Sequence, residues 1–125
     1  MKFGLMTALI LLLLAALNLP AALGVDEPAE LKNESVKILD IIENESAYHG
    51  KLVVVEGKIG LECGSGCWFL LNDGPASIYV DILPNNFVIP QKSGKEAKVY
   101  GEVTQKNGDP AIIGKIVMIG GEIYR

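Results

Sequence analysis

Beyond Gly50 the chain is almost entirely short apolar runs, separated by turns too tight to belong to helices. The runs are Lys51–Leu61, Cys67–Asn72, Ala76–Leu83, Lys95–Gln105 and Ala111–Gly120. In the third, Ile78, Val80 and Ile82 alternate with Tyr79 and Asp81, the period of two of a strand with one buried face. The breaks carry strong turn residues: Gly64-Ser65-Gly66, Asn72-Asp73-Gly74-Pro75 and Asn107-Gly108-Asp109-Pro110. One break is longer, from Pro84 to Gly94, and predicts a loop with room for one helical turn.

Glycine also recurs inside the apolar runs, at Gly57, Gly101 and Gly114. A strand glycine permits the sharp coil or bulge that a small closed barrel needs. Five strands, with the long connection between the third and fourth, therefore predict a Greek-key barrel over residues 51–122. Residues 25–50 read as one amphipathic helix ahead of it. From Pro28 to about Tyr48, the residues Leu31, Ile38, Leu39 and Ile42 share a face at about 100° per residue. Pro28 suits a first helical turn and Gly50 the left-handed position after a helix end. Two Asn-x-Ser sequons place Asn33 and Asn44 opposite that stripe. They read either as an ordinary polar face or, in an exported chain, as glycan acceptors.

Residues 1–24 read as an address. Lys2 supplies the positive start, Phe3–Leu17 is apolar apart from Thr7, and Ala22-Leu23-Gly24 is a small-x-small cleavage site. The apolar stretch is shorter than the roughly 20 residues that cross a bilayer, so a cleaved signal is favoured over an uncleaved N-terminal membrane anchor. Either places the remaining chain outside the cytoplasm, secreted or held at the outer face of the membrane. Without Lys2, ten basic side chains face fifteen acidic ones, a net charge of −5. Such a charge repels nucleic acid and anionic lipid. A membrane partner is expected only if the N-terminal segment stays attached.

The only two cysteines, Cys63 and Cys67, face each other across a glycine-flanked turn. Three readings are open. Opposed hairpin positions suit the ~5.5–6 Å Cα separation of a disulfide, and export supplies the oxidant. So short a loop would add at most ~2 kcal/mol. Alternatively the thiolates hold zinc or copper, with His49, the single histidine, as a further ligand. The third reading is a reactive thiol or redox pair.

Certain segments also carry a family resemblance. They are Tyr48-x-Gly50-Lys51-x-Val53-x-Val55-x-Gly57, Trp68-Phe69-x-Leu71-x-Asp73, Ile78-x-Val80 and Val99-x-Gly101-x-Val103. Together they resemble OB-fold domains of the nucleic-acid-binding, tRNA-anticodon-binding-like type. Cys63-x-x-x-Cys67-Trp68, with Gly66 before the second cysteine, and Phe87-x-x-Pro90 resemble a functionally uncharacterised family of small exported OB-fold proteins. The two cysteines are set slightly closer here. The resemblance implies a mainly β, five-stranded OB-type barrel, and fold alone implies no single function.

Enzymatic signatures are thin. His49 fits a cap between helix and strand, the acidic residues show no paired-carboxylate spacing, and no phosphate loop or metalloprotease motif occurs. A non-catalytic binding module is expected instead, with no cofactor. The outer face of the second and third strands is the usual OB ligand surface. Alternation puts Trp68, Tyr79 and Asp81 there if Cys67, Phe69, Leu71, Ile78, Val80 and Ile82 point inward, with Tyr100 a further aromatic candidate. The expected ligand is a protein, glycan or cell-envelope component. Soft-metal binding is the first alternative and single-stranded nucleic acid the second, the latter disfavoured by charge.

Overall fold

In this computed structural model the described residues are 26–125, so the expected signal segment lies outside them. Six strands form one sheet: β1 (Leu52–Glu62), β2 (Trp68–Asn72), β3 (Ser77–Asp81), β4 (Glu96–Lys106), β5 (Asp109–Ile119) and β6 (Glu122–Tyr124). Their hydrogen-bonded order is β3-β2-β1-β4-β5-β6. A parallel pairing of β3 with β5, Val80 opposite Ile112, closes the first five into a barrel. β6, beyond the five expected strands, pairs only with β5 through the Gly120-Gly121 turn.

Closure needs bends, and two register shifts supply them. In β1 an extra residue lies between Ile59 and Glu62 relative to β2. In β5 another separates Ile116, which faces Tyr100, from Gly114, which faces Gly101. At that second bulge a Cβ on Gly101 would sit 2.3 Å from the Ile113 carbonyl oxygen. Only glycine lets the strands meet there. The β4–β5 turn is tighter than expected: Asn107 and Gly108 alone make it, at φ 53° and 86°, and Asp109 and Pro110 belong to β5. Positive φ at both central residues matches the twist of the flanking strands.

The alternation of apolar residues is realised as burial. Val53, Val55, Phe69, Leu71, Ile78, Val80, Val99, Val103, Ile112 and Val117 fill the barrel. Side chains of this size each contribute roughly 1.5–3 kcal/mol on full burial. Ile38 and Ile41 join this core from the N-terminal segment, and Ile82 and Ile89 from the connection between β3 and β4.

The single N-terminal helix is the main correction. The segment instead forms a 3-10 turn (Ala29–Lys32), α1 (Ile38–Glu43) and α2 (Glu45–Tyr48). Between the first two pieces the chain is extended, because Ser35 bridges to Val54 and the Val36 N–H donates to the Val54 carbonyl at 2.8 Å. β2 pairs only with the C-terminal half of β1, which leaves backbone groups near Val54 open on that side. A backbone carbonyl left unpaired away from water is costly, and the extended segment supplies its partner. Asn44, at φ −125°, then separates α1 from α2. The expected stripe is only half right: Leu31 and Ile38 are buried, but Leu39 and Ile42 are 39% and 38% exposed, and Ile41 takes the inward place. Asn33 and Asn44 are exposed, though not on one helix face, and the Asn44 amide donates to the Asp40 carbonyl.

Candidate functional site

Two features lie toward the same end of β2, an aromatic pair on the outer wall and the cysteine hairpin. On β2, Phe69 and Leu71 are buried, which turns Trp68 and Leu70 outward; on β3 the same rule exposes Tyr79 and Asp81. Register sets Trp68 opposite Asp81 and Leu70 opposite Tyr79, so Trp68 and Tyr79 are diagonal neighbours. Diagonal cross-strand positions are within reach of aromatic rings. The rings stack with centroids 5.3 Å apart and an interplanar angle of 24°. The Lys106 ammonium lies 4.8 Å from the Tyr79 centroid, in cation–π range. Burial raises the Tyr79 hydroxyl pKa, so at neutral pH it remains a hydrogen-bond donor.

Beside Tyr79 opens a cleft of about 440 Å³, lined by Ile42, Leu70, Ser77, Lys106 and Pro110 among others. Its walls therefore come from α1, the barrel face and the β4–β5 hairpin. Lys106 gives no sign of this role in the sequence, where it is simply the charge before an Asn-Gly turn. It reaches Tyr79 because β5 closes on β3 and carries the end of β4 with it.

The other expected site residues fare unequally. Asp81 is on the face, but its carboxylate accepts the Leu83 N–H at 3.1 Å and so also holds the turn after β3. Tyr100 does not join the platform. It faces Val54 and Ile116 on the opposite wall, separated from β2 by β1 and from β3 by β5. There Val54 and Ile116 are buried outside the barrel interior by an N-terminal strap, residues 27–36, which lays Leu31 on this wall and which Glu27 pins to Lys98 at 2.8 Å.

Cys63 and Cys67 meet as expected, with Sγ atoms 2.7 Å apart and both thiols free. Cys67 does not point into the core; it precedes β2 and is half-exposed beside Cys63. Backbone bonds close the hairpin: the Cys63 N–H donates to the Trp68 carbonyl and the Gly66 N–H to the Cys63 carbonyl, both at 2.9 Å. The loop after β3 grips it from outside. The Gln91 amide donates to the Cys63 and Gly64 carbonyls at 3.0 Å, and the Ile89 N–H to the Gly66 carbonyl at 3.1 Å. Gly66, at φ 76°, has no room for a Cβ, which would fall 2.0 Å from the Ile89 oxygen. The Ser65 hydroxyl lies 3.1 Å from Cys63 Sγ. The hydrogen bond from Cys67, and then that from Ser65, lower the Cys63 thiol to about 6, while the bond to Cys63 raises Cys67.

The metal trio is not assembled. His49 follows α2 at the start of β1 and Cys63 follows its end, with an eleven-residue strand between them. At ~3.3 Å per residue that is on the order of 30 Å. His49 instead caps α2, its N–H donating to the Glu45 carbonyl at 2.8 Å, beside Gln105. Among the described residues no three His, Cys, Asp or Glu side chains are grouped to hold a metal.

No protein-family model matches the chain, and no curated protein matches it. Among solved structures it is similar to the hypothetical protein YgiW from E. coli, with a TM-score of 0.51 over 70% of this chain and 90% of that one. The fold is an OB-like barrel. At 19% identity the likeness carries the fold and nothing of function.

Proposed function

We propose that the chain is an exported, non-catalytic OB-type binding module whose ligand is a protein, glycan or cell-envelope component held against Trp68 and Tyr79. The observation that carries this reading is the stacked, half-exposed aromatic pair on the outer face of β2 and β3, with Lys106 at its edge and the cleft beside it. Two rings already locked against each other lose little side-chain freedom when a ligand covers them. Aromatic faces suit sugar rings and apolar side chains, and the Tyr79 hydroxyl and Lys106 ammonium add polar contacts. Export rests on the segment 1–24 and on the likeness of the cysteine hairpin to the small exported OB-fold family. In that compartment the cysteines form a disulfide, and Asn33, exposed on an extended stretch, is the better glycan acceptor.

Nucleic acid is the weaker occupant. One lysine borders the platform, Asp81 sits in it, and the net charge opposes a polyanion. Trp68 is the only tryptophan, so its fluorescence reports directly on the site. Titrating the protein with cell-envelope glycan fragments, envelope proteins and oligonucleotides at ~0.15 M salt is the test. A saturable emission change with a glycan or protein, reduced in Tyr79→Ala, supports the reading. Saturation by oligonucleotides alone, weakening steeply with salt, overturns it.

A further inference from the structure

We infer that Cys63 and Cys67 form a reversible thiol–disulfide exchange centre, with Cys63 as the attacking thiol, Cys67 as the resolving one and a disulfide of a small thiol or a partner protein as substrate. The inference is independent of what binds at Trp68 and Tyr79. Its first support is mechanical. The hairpin is already closed by two backbone hydrogen bonds and gripped by Gln91 and Ile89, so its shape does not need a covalent cross-link. The sulfurs are nevertheless in contact. Making or breaking the bond therefore requires little backbone movement, so one hairpin shape serves both redox states. A structural disulfide is one whose loss the fold would feel, and this one would be felt little.

The second support is access. Cys63 and Cys67 are half-exposed, Gly64 and Ser65 are exposed, and Leu61 just before the hairpin is 71% exposed, an apolar foothold for an incoming chain. The third is asymmetry. Ser65 Oγ is 3.1 Å from Cys63 Sγ and 3.8 Å from Cys67 Sγ, and the Cys67 thiol also donates to Cys63. The bond from Cys67 favours a thiolate on Cys63, whose thiol is held down to about 6, and leaves the proton on Cys67, while the Ser65 hydroxyl touches both sulfurs and lies nearer Cys63. The thiolate is the attacking form.

The steps balance as follows. The Cys63 thiolate attacks one sulfur of a disulfide R–S–S–R′, forming a Cys63–S–S–R mixed disulfide and expelling R′–S⁻, which takes the Cys67 proton through solvent. Cys67 then attacks Cys63 Sγ, the Cys63–Cys67 bond forms, and R–S⁻ leaves and is protonated from solvent. The pair loses two electrons, and the substrate disulfide gains them as two thiols. The reverse sequence reduces the pair at the cost of two thiols.

The test uses the full mature chain and glutathione. Reduced wild-type protein mixed with glutathione disulfide should lose both thiols and release two equivalents of glutathione, with no stable adduct. Cys67→Ser should stop at one glutathione per chain, attached at Cys63. Cys63→Ser should react slower than Cys67→Ser by about tenfold or more. Oxidised wild type should regain both thiols in millimolar glutathione, followed by Trp68 fluorescence next to the pair. If a serine variant fails to fold, reduced wild type treated with less than one equivalent of iodoacetamide gives the same comparison, the label falling on Cys63 ahead of Cys67. Equal, slow reaction of the two single variants, or an oxidised pair that resists millimolar glutathione, would make this an inert cross-link and overturn the inference.

Discussion

Adjacent residues on these strands have opposite duties, and that contrast is measurable. Trp68 and Phe69 are neighbours, yet Phe69 is fully buried and Trp68 stacks on Tyr79 outside the barrel. Trp68→Ala should leave the melting transition within about 1 kcal/mol of wild type, losing one stacking contact, while abolishing the platform. Val80→Ala, at a fully buried site, should cost roughly 1–3 kcal/mol through lost burial and a cavity. Urea unfolding of both variants decides the matter; if Trp68→Ala is the more damaging, that ring belongs to the core. Gly66 offers a second contrast. Gly66→Ala combines positive φ with a collision against the Ile89 oxygen, and should destabilise by about 2 kcal/mol or more. Gly64→Ala, two residues away and with nothing within 4 Å of its Cβ, should cost under about 1 kcal/mol.

At the scale of elements, α1 is too short to stand alone and begins without a local cap. Its first N–H, on Ile38, donates to the Asp73 carboxylate at 3.0 Å, from the turn between β2 and β3. The other Asp73 oxygen accepts the Ala76 N–H at 3.3 Å. One side chain thus ties the helix to the barrel and shapes the turn. Asp73→Ala should cost about 1–2 kcal/mol and raise amide exchange at Ile38, since two N–H groups lose a charged acceptor. Exchange at Ile38 unchanged from wild type would show that α1 is held by Ile38 and Ile41 packing alone. The sequence hides this arrangement because Asp73 reads locally as a turn residue, which it also is.

At the scale of the molecule, the barrel has two outer walls with different fates. The wall of Val54, Tyr100 and Ile116 is covered by the N-terminal strap, with Leu31 fully buried against it. The wall of Trp68 and Tyr79 is left open. Leu31→Ala should therefore destabilise the whole domain by about 2–4 kcal/mol, although the residue lies outside the barrel interior. Equilibrium unfolding followed by Trp68 fluorescence reads this on the far wall. A loss confined to the strap, with the Trp68 transition unmoved, would mean that strap and barrel fold separately.

The five barrel strands, their inward residues apart from Cys67, the tight turns and the meeting of the cysteines were legible in the sequence, because a period of two and turn chemistry act between near neighbours. Trp68 and Tyr79 were legible as outward for the same reason. What lay beyond reach depends on which strand becomes the neighbour of which. Strand order alone sent Tyr100 to the covered wall and brought Lys106 to Tyr79. An open carbonyl on Val54 broke the expected helix by taking the Val36 N–H, although the apolar spacing there looks helical. The grip of Gln91 and Ile89 on the hairpin was equally invisible. Hydrogen bonds between segments distant in the chain are made by whichever backbone groups the closed barrel leaves unpaired, and no local pattern records them.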